Sequence, residues 1–527
     1  MFETFIADLR ETLLTQPDCP ALITSEEVIS FGQLAGRVEG ALHALGEMPG
    51  GLSLIVGHKE PDCIAAMIAC AIAGRAFAFA DRSTPMDRLE QIAATAGASH
   101  ILAFGQETLP QGLPVLTLKD LPTRLPELKM AWPLSDQCTF YVIFTSGSTG
   151  TPKGVPISRG NYMALHRWYA PLLGEVRPEG SHVNHASMAF DMGMFDLWPT
   201  LSLGRPVHLL NHANNIMPRN NIRHLTRGDA TSPVSWASTP SLLQLMCTDP
   251  QFTAENLPDL RFFVVGGEML PGPLVQELQK RFPEAQVLNG YGPSEATCAT
   301  HLYAINHAES NADGPMKIGP TVGENRMQIV SPDGEDVDAG QEGELVLSGP
   351  QVISHYLPLD HPANAALSQR NGVNTYRTGD LARLDADGNL VLLGRIDRQV
   401  KLLGNRIELN EIERIAEGHA PVRKAVCLPQ KDGAGRVTGL QLFVEPASGM
   451  TCGRDELLAH MGKHLAAQVL PRELRIVSRF PVTSNGKLDT RSLVEGGIDL
   501  PMTSTPDAIP KQPDAEPALA LTTEAGK

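Results

Sequence analysis

The sequence FYVIFTSGSTGTPKG, from Phe140 to Gly154, places an apolar run directly before a segment rich in glycine and hydroxyl residues. The apolar run predicts a buried strand. The segment after it, Thr145 to Gly154, contains three Gly, five Ser or Thr and one Lys. A flexible loop of this composition can direct backbone N–H and hydroxyl groups at phosphate, although a solvated turn has a similar composition. A P-loop NTPase is disfavoured, because Pro152 stands where the Walker pattern requires Gly before Lys.

Strand and helix patterns alternate on both sides of this loop. Between residues 52 and 81, LSLIVG, PDCIAAMIACAIAG and AFAFAD predict a strand, a helix opened by Pro and closed by Gly, and a second strand. The alternation returns in TPSLLQLM, LRFFVVGG, PGPLVQELQKRF and AQVLNGYG. It predicts an α/β fold with parallel-rich sheets wrapped by helices. Such sheets bind ligands at the carboxyl ends of their strands, so the loops after FYVIF, FFVV and QVLN are the candidate site.

Composition excludes several classes of function. The 527 residues are 42% hydrophobic and 19% charged, which excludes disorder of the whole chain. Their formal net charge of -16 has the wrong sign for binding nucleic acid or anionic lipid, so small solutes and protein partners are favoured. The eight cysteines form no CxxC pair and no zinc-spaced cluster with His, which predicts reduced thiols in a cytoplasmic protein. Neither a signal-peptide pattern nor a run of apolar residues long enough for a membrane span is present, so no membrane association is expected.

The sequence changes character near residue 397. Downstream lie two helix patterns, Asn410 to Glu417 and Asp455 to Val469, and between them the apolar strand patterns KAVCLP and LQLFVEP, enough for a small α+β domain. After Gly497 the chain is rich in Pro, Ala and Thr and has no apolar period. We therefore predict an N-terminal core domain at 1–396, a mobile α+β C-terminal subdomain at 397–497 and a disordered tail at 498–527.

Six further motifs follow the Gly-rich loop in order along the chain. They are FDMGMFD (190–196), VVGGEML (264–270), NGYGPSEAT (289–297), GELVLSGPQV (343–352), the long block YRTGDLARLDADGNLVLLGRIDRQVKLLGNRIELNEIE (376–413) and PVTSNGKLD (481–489). With TSGSTGTPKG they resemble the motifs of the adenylate-forming enzymes, which include acyl-CoA synthetases, luciferases and the adenylation domains of nonribosomal peptide synthesis. The long block is most similar to amino-acid-activating domains and D-alanine–carrier protein ligases. The resemblance spans most of the chain and implies the fold of these enzymes, a large core and a small mobile C-terminal domain.

The resemblance implies a site for ATP and Mg²⁺, with no tightly bound organic cofactor. Forming an acyl adenylate brings a carboxylate onto the α-phosphate of ATP, which requires cations and N–H donors around the two anions. Lys153 would hold the β and γ phosphates, Lys487 would steady the carboxylate and the developing negative charge, and Glu295 would ligate Mg²⁺. These three are the candidate catalytic residues. The candidate ATP- and AMP-binding residues are Thr145, Ser146, Gly147, Ser148, Thr149, Gly150, Gly267, Glu268, Asn289, Gly290, Tyr291, Gly292, Ser294, Asp380 and Arg395.

The roles within this set follow the family. The residues of the Gly-rich loop would hold the β and γ phosphates, with Thr149 or Ser294 near the α-phosphate. Gly267, Asn289 and Tyr291 would line the adenine slot, where the Tyr ring offers a stacking face.

Asp380 in RTGD would accept hydrogen bonds from both ribose hydroxyls. Each role has a plainer alternative. Asp380 and Glu295 could be carboxylates in turns, Tyr291 a core residue, and Lys487 a solvated surface charge.

The resemblance implies that two residues of the long block take part in a rotation of the small domain between the two half-reactions. One active site cannot hold both the lysine of the adenylation step and an incoming thiol, so the small domain is expected to rotate. Asp397 in GRIDRQ would be the hinge. Gly404 in KLLGNRIE would line the thiol tunnel, where a side chain would obstruct the approach.

Asp191 in FDMGMFD indicates the substrate class. It matches the acidic residue that amino-acid-activating members pair with the substrate α-ammonium group, although a carboxylate that merely starts a helix is the alternative. The candidate substrate-binding residues are Asp191, Met192, Phe195, Trp236, Val264, Gly266, Gly290, Cys298 and Ala299. Because the pocket is apolar and Phe195 and Trp236 limit its volume, we expect Val-like side chains first, Ala next, and polar or charged side chains last.

The acceptor is expected to be a separate protein. A carrier domain would need a phosphopantetheine site with Ser after Gly-Gly, and GGIDL at Gly496 has no Ser. The sequence therefore predicts a stand-alone ligase of nonribosomal peptide or other secondary-metabolite synthesis that acts on a discrete, usually acidic, phosphopantetheinylated carrier protein. Two alternatives stay open, namely coenzyme A as the acceptor and a non-catalytic nucleotide-binding relative.

Overall fold

The computed structural model describes residues 1–105, 108–118, 124–131, 133–145, 152–176, 179–211, 217–228, 230–311, 316–433, 435–481 and 493–494. In this part of the chain the helices are α1 Phe2–Thr15, α2 Phe31–Gly46, α3 Pro61–Ile72, α4 Met86–Ala96, α5 Arg159–Glu175, α6 Asp191–Ser202, α7 Pro218–Leu225, α8 Pro240–Met246, α9 Gly272–Arg281, α10 Leu409–Glu417 and α11 Arg454–Gly462. The strands are β1 Pro20–Ile23, β2 Val28–Ser30, β3 Leu52–Gly57, β4 Phe77–Asp81, β5 Ala98–Phe104, β6 Val115–Leu118, β7 Thr139–Thr145, β8 Lys153–Ser158, β9 Ser181–Asn184, β10 Val207–Leu209, β11 Pro233–Ser238, β12 Phe262–Val265, β13 Gln286–Tyr291, β14 His301–Ile305, β15 Arg326–Val330, β16 Gly343–Ser348, β17 Leu367–Arg370, β18 Val373–Leu384, β19 Leu390–Arg395, β20 Gln399–Leu402, β21 Asn405–Glu408, β22 Val422–Lys431, β23 Val437–Pro446 and β24 Glu473–Ile476.

Two parallel-rich sheets form the core. One has six strands in the order β6-β5-β3-β4-β7-β8 and is parallel except at its β8 edge. The other has eight strands in the order β14-β13-β12-β11-β9-β10-β1-β2, with antiparallel strands only at its two edges. A five-stranded antiparallel sheet of β15 to β19 follows in the chain. The predicted α/β fold with parallel-rich sheets is confirmed.

Apolar helices join the two parallel-rich sheets. α3 is apolar on every side, and 11 of its 12 residues are buried. Together with α1, α2, α5 and α6 it belongs to one hydrophobic core that includes strands of both sheets. The opposite faces are covered by α4 on the six-stranded sheet and by α7, α8 and α9 on the eight-stranded sheet. Each sheet is thus covered on both faces, as its continuous apolar strands require.

Local sequence signals fix where these helices begin. Ser30 and Ser158 are the N-caps of α2 and α5, and each forms a reciprocal capping box with the residue three positions on, Gln33 or Asn161. Proline in the first turn starts α3 at Pro61, since that position needs no N–H donor.

The residues after 396 form a separate layer that we name the C-terminal unit, residues 397–481 among those described. It contains the hairpin β20–β21, the three-stranded sheet β22-β23-β24 and the helices α10 and α11. Its apolar residues form a hydrophobic cluster of their own, from Leu402 to Leu474. The predicted second helix is shorter than expected, because it ends at Gly462 and a separate 3₁₀ turn covers Ala467–Val469. The domain bounds themselves stay a prediction, and the tail at 498–527 lies outside the described residues.

Within the described ranges, no helix is both long and apolar enough to cross a bilayer.

Candidate active site

The turn after β13 meets Lys153, the first residue of β8, in one region of the core. The residues directly after β7 that were predicted to bind phosphate, Ser146 to Gly150, lie outside the described residues, as does Lys487. The loop after β12 contains Gly267, whose φ of +83° favours glycine. The loop after β13 carries Ser294 and Glu295 in a short 3₁₀ turn. The predicted location of the site therefore rests on the second and third loops and on Lys153, the first residue of β8.

Glu295 lies at the centre of this region and is completely buried. Lys153 Nζ lies 3.5 Å from its Oε1, and Tyr356 donates its hydroxyl to the same oxygen at 2.6 Å. The Lys153 ammonium group also lies over the Tyr356 ring, 4.6 Å from its centroid. The structure thus brings together two predicted catalytic residues, Lys153 and Glu295, which are 142 positions apart in the sequence.

A second cation, Arg406, reaches the same carboxylate from the hairpin β20–β21. Its Nη1 donates to Oε2 and Oε1 of Glu295 at 2.8 and 3.0 Å. Its Nη2 donates to the Tyr376 hydroxyl at 3.3 Å, and its Nε donates to Gln399 at 2.6 Å. The sequence reasoning missed Arg406, although the residue lies in the motif GNRIE beside the predicted Gly404.

The opposite charges of this cluster favour each other's ionised forms. Burial by itself raises the pKa of Glu295, but Arg406, Lys153 and the Tyr356 hydroxyl together hold that pKa well below its ordinary value. Burial lowers the pKa of Lys153, and Glu295 offsets part of this effect. Glu295 is therefore an ionised carboxylate at neutral pH, as a ligand for Mg²⁺ must be.

A second group of charges surrounds Asp380. Tyr291 donates its hydroxyl to Asp380 Oδ2 at 2.5 Å, and Arg395 Nη1 donates to Oδ1 at 2.9 Å. Arg395 also holds Asp397 through Nε and Nη2 at 2.9 and 2.6 Å. Burial raises the pKa of Asp397, but its hydrogen bonds and charge contact with Arg395 give a net lowering. The predicted ribose ligand and the predicted hinge residue therefore share one arginine.

Lys401 is a third, partly buried cation that the sequence reasoning did not single out. It lies on β20 with its Nζ 5.7 Å from the centroid of the Tyr291 ring. Burial lowers its pKa, and the nearby carboxylates of Asp380 and Asp191 partly oppose that effect. Its position in QVKLLG, two residues after Gln399 in the long block, was the available signal.

Asp191 starts helix α6 and lies next to the Glu295 turn. Ser294 donates its hydroxyl to Asp191 Oδ2 at 2.5 Å, and the backbone N–H of Met192 donates to Oδ1 at 2.7 Å. Burial raises the pKa of Asp191, while these two hydrogen bonds lower it in part. A cation brought to this carboxylate would relieve the cost of its burial, which suits the ammonium group of an amino acid.

The apolar pocket predicted beside Asp191 is only partly assembled from the expected residues. Phe195 stacks on Tyr169 with ring centroids 3.9 Å apart, and it shares the core between the sheets with Val264 and Ala299. Met192 lies at the edge of this region, since its sulfur would be 3.9 Å from a Cβ placed on Gly267. Cys298, with a positive φ of +68°, follows the Glu295 turn and packs against the same core.

The structure places Trp236 away from the other residues predicted to line the substrate pocket. Strand β11 pairs in parallel with β12, with Trp236 opposite Phe263 and Ala237 opposite Val264. The Trp236 ring packs on Phe252 at 5.7 Å in the cluster under α7 to α9, on the outer face of the sheet. Because side chains alternate along a strand, Ala237 lies on the face of Val264 and Trp236 does not.

The glycines of the site mark close backbone approaches. A Cβ on Gly266 would lie 2.8 Å from the carbonyl oxygen of Gly290, and a Cβ on Gly292 would lie 2.4 Å from that of Cys298. A Cβ on Gly290 would meet its neighbours only at ordinary van der Waals distances. Asn289, the residue before Gly290, donates its side-chain amide to the carbonyl of Lys317 at 2.9 Å.

The tip of the hairpin β20–β21 contacts the loop after β12. The backbone N–H of Gly404 donates to Glu268 Oε1 at 2.6 Å, and Ser241 donates to Oε2 of the same carboxylate. Gly404 has a φ of +76°, and a Cβ there would lie 2.9 Å from the Thr239 methyl group. We call this placement of the hairpin, with Gly404 on Glu268 and Arg406 on Glu295, the docked arrangement.

Comparison with known proteins finds one family, both in a family model and in relatives that match most of the chain. Residues 9–357 match the family model described as AMP-binding enzyme. The D-alanine–D-alanyl carrier protein ligase of Bacillus licheniformis is 30% identical over 503 residues, which covers 93% of this chain and 99% of the relative. The ligase of the same name from Lactiplantibacillus plantarum is 31% identical over 458 residues, covering 84% and 88%.

Two solved structures share the fold. The Vibrio cholerae adenylation domain AlmE, in complex with glycyl-adenosine-5'-phosphate, has a TM-score of 0.79 at 21% identity and covers 93% of this chain and 97% of its own. Holo-PA1221, an NRPS protein containing adenylation and PCP domains, has a TM-score of 0.78 at 23% identity and covers 93% and 84%. These likenesses show the adenylation-domain fold.

Proposed function

The chain belongs to the family of AMP-binding enzymes, and from that premise we propose that it activates a small aliphatic amino acid with ATP and transfers it to the thiol of a separate carrier protein. The first product is an aminoacyl-AMP and the second is a thioester on the phosphopantetheine arm of the carrier. The names of the relatives from Bacillus and Lactiplantibacillus support this class of reaction. A place in nonribosomal peptide synthesis stays a prediction from the motifs.

One observation carries the proposal: the Ser294 hydroxyl binds Asp191, and the next residue is Glu295. A carboxylate suited to an α-ammonium group is thereby fixed beside a carboxylate suited to the cation of a nucleotide. An amino acid bound through its ammonium group at Asp191 has its own carboxylate within the region that Lys153 and Glu295 line. This is the neighbourhood that aminoacyl adenylation requires.

In the first half-reaction an oxygen of the amino acid carboxylate attacks the α-phosphorus of ATP. The bond from that phosphorus to the bridging oxygen breaks, and pyrophosphate leaves with the bonding electron pair. Lys153 and, on the resemblance, Lys487 offset the negative charge that accumulates. In the second half-reaction a thiolate attacks the carbonyl carbon, and AMP leaves.

Glu295 fits a Mg²⁺ ion that arrives with ATP. It is a buried, ionised carboxylate oxygen donor, the ligand type that Mg²⁺ prefers. Among the described residues no group of three His, Cys, Asp or Glu side chains could hold a metal by itself, so phosphate oxygens would complete the coordination. When bound, the ion supplies neutralisation of phosphate charge.

The docked arrangement suits the second half-reaction. Arg406 donates to both oxygens of Glu295, so in this arrangement its guanidinium charge would oppose a second cation at the same carboxylate. The hairpin must therefore withdraw for adenylation and return for thiol transfer. We propose Asp397 as the hinge, released or held by Arg395, and Gly404 as the residue that keeps the thiol path open.

The proposed size of the substrate side chain rests on the apolar residues near Asp191. Phe195, Val264 and Ala299 belong to one shared apolar core and would form the wall of the pocket. Ala237, and not Trp236, lies on the face of Val264. We propose substrates from alanine to valine, and the names of the relatives favour alanine.

The test is amino-acid-dependent exchange of pyrophosphate into ATP, measured with all proteinogenic amino acids and with both enantiomers of alanine. Exchange that is fastest with alanine or valine supports the proposal, and exchange with none of them refutes it. A second assay separates the acceptors, since aminoacyl thioester formed on coenzyme A but on no carrier protein would favour the aminoacyl-CoA synthetase alternative. Failure of exchange with nucleotide binding intact would favour the non-catalytic relative.

A further inference from the structure

An ion pair outside the active site joins the core to the C-terminal unit. Arg88 Nη1, in the first turn of α4, lies 2.9 Å from Oε1 of Glu411, in the first turn of α10. The two residues are 323 positions apart. The Glu411 side chain is only 3% exposed and that of Arg88 18% exposed, so the pair is largely shielded from water.

The burial of Glu411 distinguishes this pair from an ordinary surface salt bridge. Burial raises the pKa of Glu411, and Arg88 opposes that effect through its charge and its hydrogen bond. A buried carboxylate without a partner is costly, whereas a solvated one is not. Arg88 therefore compensates the burial of Glu411 in the docked arrangement.

Arg88 acts on the same segment of chain that carries Arg406. Strand β21 leads directly into α10, with Glu408 as the residue before the helix. The segment is thus fixed at two places on the core, at Glu295 through Arg406 and at Arg88 through Glu411. Two fixed points on one rigid strand and helix define its orientation better than one.

We propose that Arg88 is a positioning residue which, through Glu411, holds the C-terminal unit in the docked arrangement and so supports thiol transfer without contributing to adenylation. The inference rests on the proposed function for its two half-reactions. It concerns a residue that touches neither nucleotide nor amino acid. When the hairpin withdraws, Glu411 gains water and Arg88 is no longer needed.

The chain offers a matched control on the same helix. Asp87, the neighbour of Arg88, pairs with His464 of the C-terminal unit at 3.3 Å. Their side chains are 53% and 33% exposed, so this pair crosses the same interface but is open to solvent. Exposed pairs contribute little, and Asp87→Asn should therefore leave the docked arrangement unchanged.

The direct measurement is hydrogen–deuterium exchange of the hairpin peptide, residues 399–408, in the full-length enzyme without nucleotide. The Gly404 N–H is protected by Glu268 only while the hairpin is docked. We expect Arg88→Ala to accelerate exchange in this peptide by roughly tenfold. This factor lies between the effects expected for an exposed and for a fully buried ion pair, because Arg88 is partly solvated. The double variant Arg88→Glu with Glu411→Arg should restore much of the protection, and Asp87→Asn should resemble wild type.

The two half-reactions provide the second measurement, with pantetheine as the thiol probe. Arg88→Ala should slow transfer from preformed aminoacyl-AMP by about the same factor, with pyrophosphate exchange no slower than wild type. Unchanged hairpin protection in Arg88→Ala, or equal slowing of both half-reactions, would overturn the inference. Wild-type enzyme with no amino-acid-dependent exchange would refute the proposed function instead, and the protection of the hairpin would still decide the role of Arg88.

Discussion

Arg406 donates hydrogen bonds to both carboxylate oxygens of Glu295, at 2.8 and 3.0 Å, across 111 residues of sequence. The carboxylate is fully buried and Lys153 lies 3.5 Å from it, so two cations share one counterion. The consequence is a site whose central carboxylate is occupied by the protein itself whenever the hairpin β20–β21 is docked. In the proposed mechanism, a nucleotide cation and the docked hairpin would therefore compete for Glu295.

The first prediction is that Glu295→Gln destabilises the fold as well as abolishing adenylation. Removal of the negative charge leaves Arg406 and Lys153 buried beside each other, and loss of one partner of a buried pair costs about 3 kcal/mol. Denaturant unfolding measures this change. Glu324→Gln is the control, because Glu324 pairs with Arg167 at 2.7 Å on the surface, with 70% and 42% exposure. Equal stability of the two variants would contradict the central role of the Glu295 charge.

The second prediction concerns the substrate ammonium group. Asp191→Ala would leave that group in an apolar pocket without a partner, a loss on the order of 3 to 5 kcal/mol, so pyrophosphate exchange should fall by roughly two decades or more. Ser294→Ala removes one hydrogen bond to the carboxylate, and a loss of about tenfold is expected.

The matching des-amino acid is the control substrate for both variants. It lacks the ammonium group, so its activation should fall far less than that of the amino acid. A similar loss for the two substrates would mean that Asp191 and Ser294 only support the helix α6.

The sequence predicted the layers of the fold and most of the carboxylates of the site. The strand and helix alternation from LSLIVG onward gave the parallel-rich sheets, because a βαβ unit repeats a local pattern that each segment carries by itself. Asp191 and Glu295 could be identified because they lie in short motifs. Arg406 could not, since its importance comes from a carboxylate 111 residues earlier and no local feature of GNRIE indicates that partner.

The sequence could not predict which face of β11 carries Trp236. Every residue of β11 is buried, so PVSWAS has no apolar and polar alternation from which a face could be read. A shift of one residue along a strand moves a side chain to the other face. Only the pairing of Trp236 with Phe263 and of Ala237 with Val264 settles which residue shares a face with Val264.

The third prediction follows from that correction. Ala237→Val adds two methyl groups on the face of Val264 and should disfavour valine against alanine by about tenfold, at roughly 0.8 kcal/mol for each buried carbon. Met192→Ala should shift the preference in the opposite direction, towards longer aliphatic side chains. Pyrophosphate exchange with alanine, valine and leucine gives the ranking.

Trp236→Phe is the matched control for the pocket. It should lower the melting temperature, because a large buried ring becomes smaller, but it should leave the ranking of substrates unchanged. A ranking that moves with Trp236 and not with Ala237 would show that the pocket lies on the other face of β11.

The last prediction is a loss of stability in mild acid that originates at buried histidines outside the predicted site residues. Burial lowers the pKa of His182 and of His208 to about 3, on the neighbouring strands β9 and β10. In the unfolded chain these imidazoles titrate near 6.5, so below that pH the unfolded state binds protons that the folded state does not. Each such histidine should therefore lower the free energy of unfolding by about 1.4 kcal/mol per pH unit between pH 6.5 and the folded pKa.

Denaturant unfolding from pH 7.5 to 5 measures this slope in wild type and in His208→Gln. The variant cannot take up a proton at that position, so its stability should decline less steeply as the pH falls. The exposed His43, on α2, provides the control, and His43→Gln should retain the slope of wild type. An identical slope in the wild type and in His208→Gln would show that acid lability originates elsewhere, because the buried imidazole would then contribute no proton linkage to folding.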